Sequence, residues 1–216
     1  YHGIARVEIF ETLIEIPNLF KNKKRSESKR VGIVTTTGGG GAMVVESLSG
    51  SDIEIIDPGF SIKKIMQDNN IAFNNNKLVD LTIAGTKPEI VNEVISQMMK
   101  NKNCDLVVMV VGSSAKFRPE QAVEPLLKWA NYPKPLAVYL APDAPEALNL
   151  LHQNNIACFR TPESCAESVK TFLNTKNPVK LTDLENNLSD ISKKLKKNII
   201  KNLSEEEALE IFKDIG

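Results

Sequence analysis

A short segment rich in threonine and glycine, Thr35 to Gly41, has the composition of a phosphate-binding loop. It follows an apolar run that predicts a strand and precedes a helix predicted from Ala42 to Leu48. Glycines let the backbone approach an anion, and the first N–H groups of a helix carry partial positive charge. We therefore expect a phosphate here, held by the N–H groups of Ala42 and Met43. The predicted phosphate-binding residues are Thr36, Thr37, Gly38, Gly39, Gly40, Gly41 and Ala42.

Three known phosphate-binding patterns can be compared with this segment. A Walker loop ends in Gly-Lys-Ser/Thr, whereas Gly41 is followed here by alanine and methionine. The dinucleotide fingerprint requires glycine at position 43, where this chain has Met43. A flavodoxin phosphate loop, Thr-x-Thr-Gly-x-Thr, is matched except that Gly40 replaces its last threonine. Close packing of a strand against a helix would also explain the glycines.

Other loops could contribute polar groups to an anion site. The segment Gly112 to Arg118 carries Ser113 and Ser114 with two cations, and suits either a phosphate contact or a solvated turn. Asp80, a lone acid between apolar neighbours, either fixes a loop by accepting hydrogen bonds or belongs to a site. Asp143 fits the N-cap of the helix that follows it.

The elements that must position these loops alternate between strand and helix patterns. The predicted strands are residues 31–34, 53–56, 106–111, 136–140 and 156–159, and the predicted helices are residues 42–48, 62–67, 88–100, 119–130, 144–153 and 161–173. Such alternation indicates right-handed βαβ units and a parallel sheet. We therefore predict an α/β fold, a flavodoxin-like open parallel sheet of four or five strands with helices on both faces. Ligands of such sheets bind at the carboxyl ends of the strands.

The chain divides into three predicted parts. Residues 1–29 form an N-terminal helix and a basic connector, and residues 30–174 form the flavodoxin-like domain. Residues 175–216 form a linker and the start of a further domain, where Ser204 and Glu207 make a capping box at a new helix. The chain opens with Tyr1 rather than methionine, and its last helix stops at the chain end. We therefore expect it to be a piece of a longer protein.

Composition argues against several classes of function. Acidic and basic residues balance at 27 each, so neither nucleic acid nor an anionic membrane is an expected partner. The apolar runs are too short to cross a bilayer, and the first residues do not have the pattern that we expect of a signal peptide. The three cysteines have neither disulfide nor metal-ligand spacing, and neither histidine has triad partners. We expect no metal site, and buried or half-buried free thiols in a reducing cytoplasm.

Four stretches of the sequence, in this order, resemble the NDP-forming acyl-CoA synthetases, such as ADP-forming acetate–CoA ligases, which are relatives of succinyl-CoA synthetase. The stretches are Gly3-Ile4-Ala5-Arg6-Val7, Arg30 to Gly41, Leu78-Val79-Asp80-Leu81-Thr82, and Leu203-Ser204-Glu205-Glu206-Glu207-Ala208. The likeness runs through nearly the whole chain. It resembles the ligase-CoA domain, which lies between the phosphohistidine domain and the ATP-grasp domain. The Asn-Pro that precedes Val-Asp-Leu in the family is Lys77-Leu78 here.

The resemblance implies a role in a multistep reaction. In such synthetases ATP phosphorylates a histidine on a mobile segment, the phosphate passes to a carboxylic acid, and CoA attacks the acyl phosphate. The phosphohistidine lies between the N-termini of two helices from two flavodoxin-like domains. By comparison, Gly38 to Gly41 and the helix from Ala42 would supply one of these two helix N-termini. The family's histidine would precede Tyr1, and His2 does not match it, so no catalytic residue is expected in this chain.

The resemblance also implies cofactors and partners. The chain would bind no cofactor alone, whereas the whole enzyme would use ATP with Mg²⁺ and CoA. Its partners would be the CoA-binding, phosphohistidine and ATP-grasp domains and a small carboxylic acid. A homodimer is a further option that the resemblance does not decide. A stand-alone flavodoxin-like module that binds phosphate or a nucleotide for regulation is the alternative. A flavin carrier is a third, with Trp129 and Tyr132 as its only candidate stacking residues, away from the loops.

Overall fold

The computed structural model describes residues 3–21, 23–24, 26, 28–73, 77–82, 84, 87–176 and 204–215. One compact unit comprises Ala5–Thr175 and contains the sheet, so the N-terminal segment packs with the sheet from Ala5 onwards. A second unit comprises the described residues before Ala5 and after Thr175. Most of the predicted linker, residues 177–203, lies outside the described residues.

Six parallel strands form one sheet in the described part of the chain. They are β1 (Arg30–Thr35), β2 (Glu54–Ile55), β3 (Leu78–Asp80), β4 (Leu106–Val111), β5 (Leu136–Leu140) and β6 (Ala157–Phe159). One side of β1 pairs with β4, whereas β2 and β3 share its other side, β2 at the start of β1 and β3 at its end. Taken as one position, β2 and β3 make the strand order flavodoxin-like. The predicted fold class is confirmed.

Strand β3 was absent from the sequence prediction, which allowed five strands at most. Its three residues are too few for a recognisable pattern, and pairing with the end of β1 defines it. Beyond β3, the N–H of Leu81 continues the ladder by donating to the Thr35 carbonyl oxygen at 2.8 Å. β3 therefore brings Asp80 level with Thr35.

Nine helices lie among the described residues of the first unit. They are α1 (Phe10–Glu15), α2 (Pro17–Phe20), α3 (Gly38–Leu48), α4 (Phe60–Asp68), α5 (Pro88–Lys100), α6 (Ser114–Phe117), α7 (Pro119–Leu127), α8 (Pro145–Gln153) and α9 (Pro162–Asn174). α9 begins as predicted, since the Thr161 hydroxyl accepts from the Ser164 N–H at 3.1 Å. None of the helices in the described ranges is long and apolar enough to cross a bilayer.

The second unit contains α10 (Glu205–Ile215), which begins at the predicted capping box. The Glu207 N–H donates to Ser204 Oγ at 3.3 Å, and the Ser204 N–H donates to Glu207 Oε2 at 2.8 Å. Two of the N–H groups at this helix end are thereby satisfied by side chains.

Apolar layers cover both faces of the sheet. All six residues of β4 are buried, and they alternate between the layers. Val107, Met109 and Val111 join the layer with α4, α5, α7 and α8. Leu106, Val108 and Val110 join the layer with α2, α3 and α9. This two-sided burial explains why β4 is a continuous apolar run in the sequence.

Helix α1 packs with its polar side inwards. Thr12 and Glu15 are buried, and the Ser164 hydroxyl donates to Glu15 Oε2 at 2.8 Å. Arg160 Nη1 donates to the other carboxylate oxygen at 3.2 Å. The apolar side chains that recur at helical spacing are exposed instead: Phe10, Leu13 and Ile14.

Candidate functional site

The carboxyl ends of β1 and β4 form the switch point of the sheet. Strands β2 and β3, which follow β1 in the chain, pair with one side of β1, and the next strand, β4, pairs with its other side. Ligands of open α/β sheets bind in the crevice at such a point. The segments that leave it are Thr36-Thr37 and Gly112-Ser113, so the structure brings together the two loops that carry predicted site residues.

Threonine hydroxyls shape the turn between β1 and α3. The buried Thr35 hydroxyl donates to the Thr37 carbonyl oxygen at 2.7 Å and accepts from the Thr37 N–H at 3.0 Å. Thr36 ties the two loops together, because its Oγ1 accepts from the Gly112 N–H at 2.8 Å. The Thr36 N–H donates to the Val110 carbonyl oxygen at 2.9 Å. The Thr36 hydroxyl can still donate its own proton to a ligand.

Helix α3 begins four residues earlier than the sequence predicted. Thr37 is its N-cap, with extended backbone, and Gly38 is its first residue. The Gly41 N–H makes the first intrahelical hydrogen bond, to the Thr37 carbonyl oxygen at 3.0 Å. The prediction that the N–H groups of Ala42 and Met43 are free at the helix start is therefore wrong, because both residues lie beyond that bond. The N–H groups at the helix end belong to Gly38, Gly39 and Gly40.

The glycines of the first turn have different roles. A Cβ on Gly40 would lie 2.9 Å from Thr37 Cγ2 and 3.0 Å from Val110 Cγ1. A Cβ on Gly41 would lie 2.8 Å from Thr35 Cγ2. These two glycines let the helix pack closely on the strand ends. Gly39, by contrast, is exposed, and a Cβ there would meet no atom within 4 Å.

Asp80 fixes its loop and also lies beside the helix end. Its Oδ1 accepts from the Thr82 N–H at 2.9 Å, which is the loop-fixing alternative considered for this acid. Its Oδ2 lies 2.7 Å from the position that a Gly38 Cβ would take. The Asp80 carboxylate thus occupies one side of the positive end of α3, and the open side lies at Gly39.

The loop after β4 leads into a short helix. Ser114 begins the short helix α6, which Ala115 anchors by its burial. Ser113 is exposed at the N-cap, and Lys116 and Arg118 are exposed beyond it. Both serines leave the same sheet edge as Thr36.

Asp143 was predicted to cap α8, but it does not do so. Ala144 occupies the N-cap position, and no side chain makes a capping hydrogen bond there. Asp143 is exposed, one residue before the cap. The helix starts one residue later than the sequence predicted, which moves the carboxylate out of capping position.

The described residues offer little for metal or thiol chemistry. No three side chains of His, Cys, Asp or Glu in this part of the chain lie close enough to hold a metal ion. The cysteines, Cys104, Cys158 and Cys165, are free and buried, as predicted. Burial raises the pKa of all three thiols, so they stay protonated near neutral pH.

Solved structures share this fold, whereas no protein-family model and no curated protein matches the sequence. One similar structure is the crystal structure of PH0766 from Pyrococcus horikoshii OT3, at 16% identity and a TM-score of 0.63. Another is the dinucleotide forming acetyl-coenzyme A synthetase 1 of Ca. Korarchaeum cryptofilum. In complex with phosphate and ADP it matches at 20% identity and a TM-score of 0.64, and in its apo form at 21% and 0.62.

The matched regions cover 78–79% of this chain and 38–41% of those chains. The chain therefore spans about two fifths of the length of the structures that it resembles. At this level of identity the likeness shows a common fold.

Proposed function

We propose that this chain is the ligase-CoA domain of an NDP-forming acyl-CoA synthetase, in which the first turn of α3 stabilises the phosphate of a phosphohistidine. The whole enzyme would convert a carboxylic acid, CoA and a nucleoside triphosphate into acyl-CoA, a nucleoside diphosphate and phosphate. One observation carries the proposal: the N–H groups of Gly38, Gly39 and Gly40 precede the first intrahelical bond at the switch point of the sheet.

The contribution of this domain would be electrostatic. The dipole of a helix N-terminus stabilises an anion by roughly 0.3–2 kcal/mol, and the N–H groups add hydrogen bonds. Gly39, the exposed glycine of the first turn, would donate from the open side of the helix end. The Thr36 hydroxyl and Ser113, on the facing loops, would be the next donors. Donors fixed in advance need no rearrangement when charge develops on the phosphoryl group.

The remaining chemistry would come from other domains. The similar structures include an acetyl-coenzyme A synthetase in complex with phosphate and ADP, and about three fifths of that chain lies outside the match. The phosphorylated histidine, the CoA site, the nucleotide site for ATP with Mg²⁺ and most of the acid pocket would belong to such additional domains. The domain would then bind phosphate without completing the reaction.

Labelling of the full-length protein tests this proposal. Incubation with ATP labelled in its γ-phosphate should produce an acid-labile, base-stable phosphohistidine. Gly39→Val places a branched side chain beside the phosphate position, at a residue where an added Cβ meets no atom within 4 Å, and we expect about tenfold less labelling. Ala42→Val is the matched control, because its N–H lies within the helix and its side chain is exposed.

The outcomes separate the proposed function from its alternative. Equal labelling in Gly39→Val and the parent protein would contradict the role of the first turn. The regulatory module would be favoured if the full-length protein forms no phosphohistidine while the 216-residue chain binds inorganic phosphate at Gly38 to Gly40.

A further inference from the structure

A cavity of about 380 Å³ lies at the opposite end of the sheet, beside the amino ends of β4 and β5. Its volume is within the range of sites for small molecules. Four lysines line it: Lys24, Lys100, Lys102 and Lys134. The cavity is separate from the switch point, because the amino and carboxyl ends of parallel strands lie at opposite edges of a sheet.

The charge of the cavity differs from that of the whole chain. Acids and bases balance overall, whereas the described lining contains four lysines and a single acid, Asp105. That acid is already paired: Arg30 Nε donates to its Oδ2 at 2.9 Å, and Arg30 Nη2 donates to its Oδ1 at 3.1 Å. Ser26 Oγ also donates to Oδ1, at 2.9 Å. Because Arg30 offsets this carboxylate, the lysines leave an excess of positive charge.

Lys134 places one ammonium group in a half-buried position. Its Nζ donates to the Asn101 carbonyl oxygen at 2.6 Å and to the Met98 carbonyl oxygen at 3.3 Å, at the end of α5. An ammonium group has three N–H donors, so one remains for a ligand. Burial lowers the pKa of Lys134, because the charged form is poorly solvated there. An anion in the cavity would offset that cost.

The cavity also has an apolar side. Met99 and Cys104 are buried in its lining, and the half-buried Tyr132 stands beside them. The Tyr132 ring is held by an edge-on contact with Trp129, with 5.0 Å between ring centroids. Such a wall could pack against the carbon skeleton of an organic ligand.

We propose that this cavity binds a small molecule through a phosphoryl group, either as inorganic phosphate or as a phosphate ester. Lysine acts as a compact point charge and suits a tetrahedral group with oxygens in several directions. The planar fork of Arg30, which could bind either a carboxylate or a phosphate, is already engaged by Asp105, so the lysines are the cations left for a ligand. The proposal does not depend on the function of the α3 site.

Titration of the ¹⁵N-labelled 216-residue chain tests the proposal. Inorganic phosphate and glycerol phosphate should each shift the amide signals of residues 100–104 and 134 in a saturable manner. Tighter binding of glycerol phosphate would assign an ester as the ligand, and equal affinities would assign inorganic phosphate. Citrate binding as tightly as either would overturn the preference for a phosphoryl group. Shifts confined to Thr36 to Gly41 would overturn the site itself.

Two lysine variants distinguish binding in this cavity from a general effect of removing positive charge. Lys102→Gln removes an exposed side chain of the lining, and we expect phosphate affinity to fall about tenfold, as for the loss of one charge-assisted hydrogen bond. Lys64→Gln is the matched control, since Lys64 is exposed on α4 and lies outside the lining. Equal weakening in both variants would overturn the proposal.

Discussion

The Asp80 carboxylate lies beside Gly38, the first residue of α3. A Cβ built on Gly38 would be 2.7 Å from Asp80 Oδ2, so no larger residue fits there without a shift of the acid. Pairing of β3 with β1 holds Asp80 in this place, level with Thr35. A carboxylate at a helix N-terminus is favourable by itself, but its charge opposes a second anion at the same end.

Removal of the Asp80 charge should strengthen phosphate binding at α3. Asp80→Asn keeps an oxygen that can accept from the Thr82 N–H and removes the repulsion, so we expect about tenfold tighter binding of inorganic phosphate. Amide shifts of Gly38 to Gly40 during a phosphate titration measure this affinity. Asp143→Asn, at an exposed acid before α8, is the control and should leave it unchanged. Weaker binding in Asp80→Asn would show that the acid helps to hold the ligand.

Replacing each of two neighbouring glycines by alanine should change the free energy of unfolding in opposite directions. Gly40→Ala forces a methyl group against Thr37 and Val110, and we expect a loss of about 1–3 kcal/mol in the free energy of unfolding. Gly39→Ala meets open space within a helix, and should raise that free energy by up to about 1 kcal/mol. Urea denaturation of the three proteins checks both values. Equal stabilities for the two variants would contradict the packing role of Gly40.

The hydrogen bond between Thr36 and Gly112 should hold the two site loops together. Thr36→Val removes the acceptor of the Gly112 N–H and should lower the free energy of unfolding by about 1–3 kcal/mol. Thr36→Ser restores a hydroxyl at the same position, and we expect it to recover most of that loss. Urea denaturation gives the stabilities, and exchange of the Gly112 amide hydrogen reports the bond directly. Slow exchange in Thr36→Val would contradict its importance.

The ion pair between Arg30 and Asp105 should make stability depend on pH. Burial by itself would raise the pKa of the Asp105 carboxyl, but hydrogen bonds from Arg30 and Ser26 hold that pKa below its ordinary value. Stability from such a group is present above the unfolded pKa of about 3.9 and is lost as pH falls through the folded pKa. We therefore expect Asp105→Asn to cost about 1–3 kcal/mol at pH 7, and the cost to shrink below about pH 4.

Unfolding measured from about pH 7 to about pH 3 checks this dependence, by the difference between Asp105→Asn and the parent chain. Asp68→Asn, at an exposed acid that ends α4, is the control and should change stability little across the range. A difference that stays constant with pH would contradict the pairing of Asp105 as the source of the effect.

Hydrophobic periodicity and local sequence signals account for the parts of the fold that were predicted correctly. β4 and α5 have the predicted bounds, because a strand covered on both faces is a continuous apolar run and Pro88 marks a helix start. The capping box at Ser204 is equally local. The alternation of strands and helices was then sufficient to predict the fold class. It also predicted that the loops after β1 and β4 lie close together, because the carboxyl ends of parallel strands lie at one edge of the sheet.

Long-range packing decided what was missed. Low helix propensity argued against a helix through Gly38 to Gly41, but close contact with the strand ends outweighs it. Pairing with β1 made a strand of Leu78–Asp80, although three residues show no pattern.

The sequence by itself determined a flavodoxin-like sheet and a glycine turn at its switch point, because burial periodicity and turn chemistry are local properties of a chain. Only the tertiary structure decided which N–H groups the turn exposes, that Asp80 lies beside them, and that lysines from three separate segments line one cavity. Those relationships join residues far apart in sequence, and only the packing of the sheet and its helices brings them within contact distance.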